Sequence, residues 1–255
     1  LDELEDDPIR AEAARAMAAA RTMRTAAILH DQYSGVLRAA LDRLEKLRES
    51  GDDEALQLLA DELLGRARLG LHLTRPWDVA IVGKPNVGKS SLINALAGYE
   101  RAIVHDTAGT TRDLVSAMIV LDGWPIRIVD TAGMRESDHA VEQEGVRLAG
   151  ETLRSADLML LVFDVTQSWD DECRKLTELR SDALIVLNKI DRLEDPSRLP
   201  EGMPQGLSVS ATIGSGLETL IDAIVERLIG PLPEPGAAVP FSQSQIDRIK
   251  IIAGR

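Results

Sequence analysis

The stretch GKPNVGKS at 83–90 sets two glycines, a lysine and a serine at fixed spacing between an apolar run and a helix-forming run. Gly83 and Gly88 allow a tight turn whose backbone N–H groups converge on phosphate oxygens, and Asn86, Val87 and Ser91 belong to the same loop. Lys89 brings a compact positive charge to the outer phosphates of a nucleotide, and the Ser90 hydroxyl suits Mg2+. A helix opening at this point adds the partial positive charge of its N-terminus. The chemistry is that of holding a nucleoside triphosphate.

Three later stretches extend it. DTAG at 130–133 ends an apolar run, where Asp130 can hold Mg2+ through water and Gly133 can meet the γ-phosphate. NKID at 188–191 follows another apolar run. Asp191 there can accept from guanine N1–H and N2–H2, a pair of donors adenine lacks, while Asn188 and Lys189 shape the pocket. SAT at 210–212 comes last, and the backbone at Ser210 and Ala211 can support the base. In this order the four segments select GTP. One residue stands against the usual chemistry: Met134 follows the DxxG segment, where a glutamine often orients the attacking water.

The elements that carry these segments divide by composition. Residues 1–75 are rich in Ala, Leu and Arg and read as helical. Asp7 and Pro8 form a helix start, followed over 7–50 by one long helix or two in series with Gly35 as the weak point. From 76 to 230 short β-branched runs alternate with helical stretches. Strands are predicted at 78–82, 115–121, 125–130, 157–164, 183–188 and 206–209, with helices at 89–98, 140–155, 169–180 and 216–229. LDGW at 121–124 is an Asp-Gly hairpin turn. The fold class is therefore α/β, a P-loop NTPase G domain with a mostly parallel six-stranded sheet covered by helices on both faces. Residues 231–241, with four prolines over 231–240, read as a linker, and 242–255 as the start of a further helical segment capped by Ser242.

The 255 residues carry 29 basic against 42 acidic side chains, a formal charge of −13, which speaks against broad gripping of nucleic acid. Arg15, Arg21 and Arg24 face no acid between Glu12 and Asp31 and could line RNA, although a solvated helix face is the simpler reading. The single cysteine, Cys173, forms no internal disulfide and suits a cytoplasmic location. No apolar run is long enough to span a bilayer, so no membrane partner is expected. A first residue of Leu1 rather than Met reads as a piece of a longer protein.

With the four segments in place, DTAGTTRD at 106–113 resembles the first switch of the TrmE/MnmE tRNA-modification GTPases and of the Der/EngA group. MRESDHAVEQEGVRLA at 134–149 is similar to the TrmE second switch, and ARTMRTAAIL at 20–29 looks like part of its helical domain. Der/EngA would bring a second phosphate loop, which the sequence lacks. The resemblance covers 77–230 closely and the flanking helices loosely. TrmE proteins also carry an N-terminal folate-binding domain and a C-terminal Cys-x-Gly-Lys, neither of which is in this sequence.

The resemblance implies a GTPase turning GTP into GDP and phosphate, with Thr111 closing on Mg2+ beside Thr110. It implies that Glu142 positions the water in place of the absent glutamine, and that K+, held in part by Asn86, takes the place of an arginine finger. It implies a nucleotide-dependent pairing of two G domains through their switches, and tRNA and a modification partner bound through regions outside this sequence. Arg135, beside several acids, reads as an intramolecular ion pair. Two alternatives stand beside this reading: a ribosome-assembly GTPase of the Der or Era kind, and a slow GTP-dependent interaction switch.

Overall fold

The computed structural model describes residues 7–99, 116–130, 155–195 and 198–255. They form two units, Leu1–Pro76 with Pro231–Arg255, and Trp77–Gly230.

The first unit is helical. Helix α1 (Pro8–Ala19) starts where expected, with the Asp7 carboxylate accepting from the backbone N–H groups of Ile9 and Arg10. The chain then breaks at Ala20 and restarts as α2 (Met23–Tyr33), so three helices replace the one or two expected before residue 50. The cause is local. Thr22 and Thr25 bond reciprocally: the Thr25 N–H donates to Thr22 Oγ1 at 3.3 Å and the Thr22 N–H to Thr25 Oγ1 at 3.4 Å. This capping box competes with continuation of α1. Gly35, left-handed at φ 99°, separates α2 from α3 (Val36–Ser50). Helices α4 (Asp53–Gly65), α5 (Ala67–Leu71) and α9 (Gln243–Ile252) complete the unit, with α9 against α3 and α4. Leu29, Leu37, Leu41, Leu44 and Leu63 are buried at its centre.

Residues 231–241, expected as a linker, belong to this helical unit, exposed over most of 231–236 and buried over 238–241. Val239 is fully buried, and its N–H donates to the buried Gln32 Oε1 at 3.1 Å, while Gln32 Nε2 donates to the Ala237 carbonyl at 3.1 Å. Phe241 N–H is taken by Gln245 Oε1 at 2.8 Å. Proline content signals extended backbone; it does not report whether side chains stand ready to receive that backbone.

The second unit is the α/β one. Strands β1 (Trp77–Val82), β2 (Ser116–Leu121), β3 (Trp124–Asp130), β4 (Leu158–Asp164), β5 (Leu184–Asn188) and β6 (Leu207–Ser208) form one sheet in the order β2-β3-β1-β4-β5-β6. Only the β2–β3 pair is antiparallel, joined by Asp122 and Gly123 at φ 45° and 75°. That is the two-residue turn expected at 121–124. Every residue of β4 is buried, as a central parallel strand covered on both faces requires. Helix α6 (Lys89–Tyr99) packs on β2 and β3, while α7 (Asp171–Thr177) and α8 (Leu217–Ile229) pack on β4. Met159, Leu161 and Phe163 share a cluster with Cys173 of α7, whose thiol burial pushes up, away from reactivity. Among the described residues no helix is long and apolar enough to cross a membrane.

Candidate nucleotide site

Parallel strands β1, β3, β4 and β5 all end on one edge of the sheet, so the loops that follow them converge there. A cavity of about 470 Å³ opens at this edge. Asn86, Gly88, Lys89, Ser90 and Ser91 line it from the loop after β1, Asp130 from the end of β3, Asn188 and Lys189 from the end of β5, and Ala211 from the loop after β6. Pro85, Arg192 and Thr212 also line it. Four segments scattered over the sequence thus meet in one place.

The loop after β1 is shaped by close packing. A Cβ on Gly83 would run into the Val162 carbonyl oxygen, and one on Gly88 into Asn188 Nδ2, with Gly88 also at φ 97°. Neither position tolerates a side chain. Lys89 is buried, and its Nζ donates to the carbonyls of Gly83 at 2.9 Å and Lys84 at 2.8 Å. The ammonium is thereby aimed across the loop it belongs to. Lys84 reaches outward instead, with Nζ 2.6 Å from Asp170 and 3.1 Å from Glu172. The Lys84 hydrogen bond holds the Asp170 carboxyl well below its usual range, and Asp170 in turn pushes Lys84 up. Asp170 also caps α7 through the Cys173 N–H.

The residues after β5 and β6 form a hydrogen-bonded scaffold against this loop. Asn188 Nδ2 donates to the Val87 carbonyl at 2.9 Å, and its Oδ1 accepts from the Ala211 N–H at 3.1 Å. One buried amide therefore fixes the phosphate loop to the loop after β6. The Ser210 hydroxyl, fully buried, donates to Asp191 Oδ1 and also accepts from the Ile213 N–H. Asp191 itself is exposed, with that one oxygen aimed by Ser210. Gly83, Val87, Asp191 and Ser210 do not line the cavity; they hold or flank residues that do. Thr110, Thr111, Gly133 and Glu142, together with Met134 and Arg135, lie outside the described residues.

Two contributors lie outside the four sequence segments or carry no motif signature of their own. Asp164, at the end of β4, sits 2.6 Å from Lys189 Nζ, and Lys84 anchors the loop to α7. The signal for Asp164 was present: a carboxylate closing an otherwise unbroken apolar strand, LMLLVFD. Such a charge is retained only when paired.

The chain matches known proteins along its length. Residues 78–189 match the family model described as 50S ribosome-binding GTPase. The tRNA modification GTPase MnmE of Synechococcus sp. (strain WH7803) is 36% identical over 269 residues, covering 94% of this chain and 58% of that protein. The MnmE protein of Bordetella parapertussis is 42% identical over 205 residues, covering 79% of this chain and 44% of that protein. Over most of its length this chain is similar to MnmE-type GTPases. It spans between 40% and 58% of the length of the curated relatives it matches. Among solved structures, Era in complex with MgGDPNP and a segment of 16S ribosomal RNA is 29% identical, with a TM-score of 0.47 over 62% of this chain and 58% of that one.

Proposed function

We propose that the cavity at the sheet edge binds GTP and hydrolyses it to GDP and phosphate, and that the whole protein spends this cycle on tRNA wobble-uridine modification. The observation that carries the first part is the convergence of Lys89, Ser90, Asp130, Asn188, Lys189 and Ala211 around a single cavity. A nucleotide laid along it has phosphates beside the ammonium and its base beside the amide and Asp191. On binding, Lys89 exchanges its two carbonyl partners for phosphate oxygens. The relatives' name, tRNA modification GTPase, supports the tRNA-modification part of this reading.

Ser90 and Asp130 are hard oxygen donors in the same cavity, which suits Mg2+. Bound there, the ion would neutralise charge on the phosphates. Asn86 lines the same cavity and is the one described side chain offered to K+. The reading assigns Thr111, with Thr110, to the closing of the first switch, Gly133 to the γ-phosphate, and Glu142 to aiming the water. K+ and the pairing of two G domains complete the hydrolytic state.

The test is a hydrolysis assay on the full chain with Mg2+ and either K+ or Na+. Glu142→Ala is expected to lower kcat by about 100-fold, in the range for a lost general base, with binding of a fluorescent GTP analogue held within threefold. Replacing K+ by Na+ is expected to lower turnover by at least tenfold, in line with the charge an arginine finger supplies. Turnover of the Glu142 variant within twofold of the parent removes that residue from its role, and equal rates in the two salts remove K+.

A further inference from the structure

Asp164 ends β4, and the other six residues of that strand are apolar and buried. Its side chain is 2% exposed. Parallel register sets it beside Asn188, and the Val165 N–H donates to the Asn188 carbonyl at 3.0 Å, so Lys189 begins next to the carboxylate. Every Asp164 oxygen is used. Oδ1 accepts from the Thr166 N–H at 2.9 Å and the Thr166 hydroxyl at 2.7 Å. Oδ2 accepts from Gln167 Nε2 at 3.3 Å and Lys189 Nζ at 2.6 Å.

The same Lys189 Nζ donates to the Asn86 carbonyl at 2.6 Å. Lys189 and Asn86 both have left-handed backbones, φ 69° and 63°, a conformation that side chains other than glycine hold only when the surroundings fix them. The lysine stem runs over Gly88, its Cε 3.7 Å from where a Cβ on that glycine would stand. We propose that Asp164 is a positioning residue for the nucleotide: by holding Lys189 Nζ it fixes the lysine stem along the base-side wall of the cavity and, through Asn86, ties that wall to the phosphate loop. Burial pushes the Asp164 carboxyl up, but the hydrogen bonds from Lys189 and Thr166 outweigh it and keep the group below its ordinary value, so it is charged at neutral pH. Lys189 alone, on its flexible stem, has no other carboxylate among its described partners to choose this direction.

The proposal rests on the guanine-nucleotide reading, and the experiment separates the two. Binding of fluorescent GDP and ADP analogues with Mg2+ is measured on the full chain, its Asp164→Asn and Lys189→Met variants, and the double variant, alongside GTP turnover. The parent is expected to prefer guanine by at least 100-fold. Asp164→Asn is expected to weaken GDP by tenfold or more through faster release and to raise KM with kcat falling less than threefold. The double variant is expected to bind no more weakly than Lys189→Met alone. A parent that does not prefer guanine overturns the guanine reading. A parent that prefers it, with Asp164→Asn releasing GDP within twofold of the parent rate, or with independent losses adding in the double variant, overturns the role of Asp164. Should Asp164→Asn fail to fold, Thr166→Val, which removes one bond aiming the carboxylate, carries the test: release at least threefold faster supports the role, and an unchanged rate overturns it.

Discussion

At the scale of single residues, key polar groups of the site are fixed by a second one, as Asn188, Lys189 and Asp191 are. Asp191 shows this most plainly. Its carboxylate is exposed, yet one oxygen is engaged by the buried Ser210 hydroxyl. An ionised carboxylate accepts only, which matches the two donors on guanine N1 and N2. Asp191→Asn offers one acceptor and one donor, the pattern of xanthine with its N1–H and C2 carbonyl. The variant is expected to lose GDP affinity by about 30-fold or more, since a hydrogen bond to a charged group is worth about 1.5–3 kcal/mol. It is expected to gain affinity for XDP. Competition of the two nucleotides against a fluorescent GDP analogue measures both, and retention of guanine preference sinks the assignment. Motif reading reached Asp191 because its chemistry is local to four residues. The role of the Ser210 hydroxyl is not legible in the sequence, because a side-chain partner nineteen positions away leaves no periodic trace.

At the scale of elements, the α/β alternation and the helix break at Gly35 are legible in the sequence, and the break between α1 and α2 is not. The six strands were readable because β-branched runs bounded by turn residues have a period of two or are continuously apolar, and tertiary packing here agrees with that local preference. The break between α1 and α2 defeats the same method. Ala, Arg and Met on both sides all favour helix, so composition argues for continuity while Thr22 ends it. Recognising the break needs the Thr-x-x-Thr pair, whose second member is a weaker partner than the Glu or Gln of the usual box. The energetic consequence is measurable. Thr22→Ala removes the side-chain acceptor for the Thr25 N–H and is expected to cost about 1 kcal/mol. In a chain of this size that corresponds to a fall of roughly 2–4 °C in Tm, read by thermal unfolding, with Thr22→Ser near the parent. An unchanged Tm in Thr22→Ala would mean that packing of the buried Thr25, and not the cap, fixes the start of α2.

At the scale of the whole molecule, the chain leaves the helical unit at Pro76, supplies the described lining of the candidate site between Trp77 and Gly230, and returns to the helical unit at Pro231. The returning segment is held there by buried amides. Gln32 donates to the Ala237 carbonyl and accepts from the Val239 N–H, and Gln245 accepts from the Phe241 N–H while donating to Glu12. Val239 is fully buried, so its N–H relies on the Gln32 amide in place of water. Gln32→Leu keeps the apolar volume and removes both bonds. A buried backbone group left unsatisfied costs about 1–3 kcal/mol, so the helical unit is expected to unfold at lower urea concentration than in the parent. Proteolysis within 231–241 is expected to accelerate in parallel, because cleavage samples the opened state. Affinity for GDP is expected to stay within twofold, since every residue lining the cavity comes from the other unit. A variant that kept its urea midpoint would show that helix packing alone retains the segment. One that lost nucleotide affinity instead would show that the return path of the chain reports to the site.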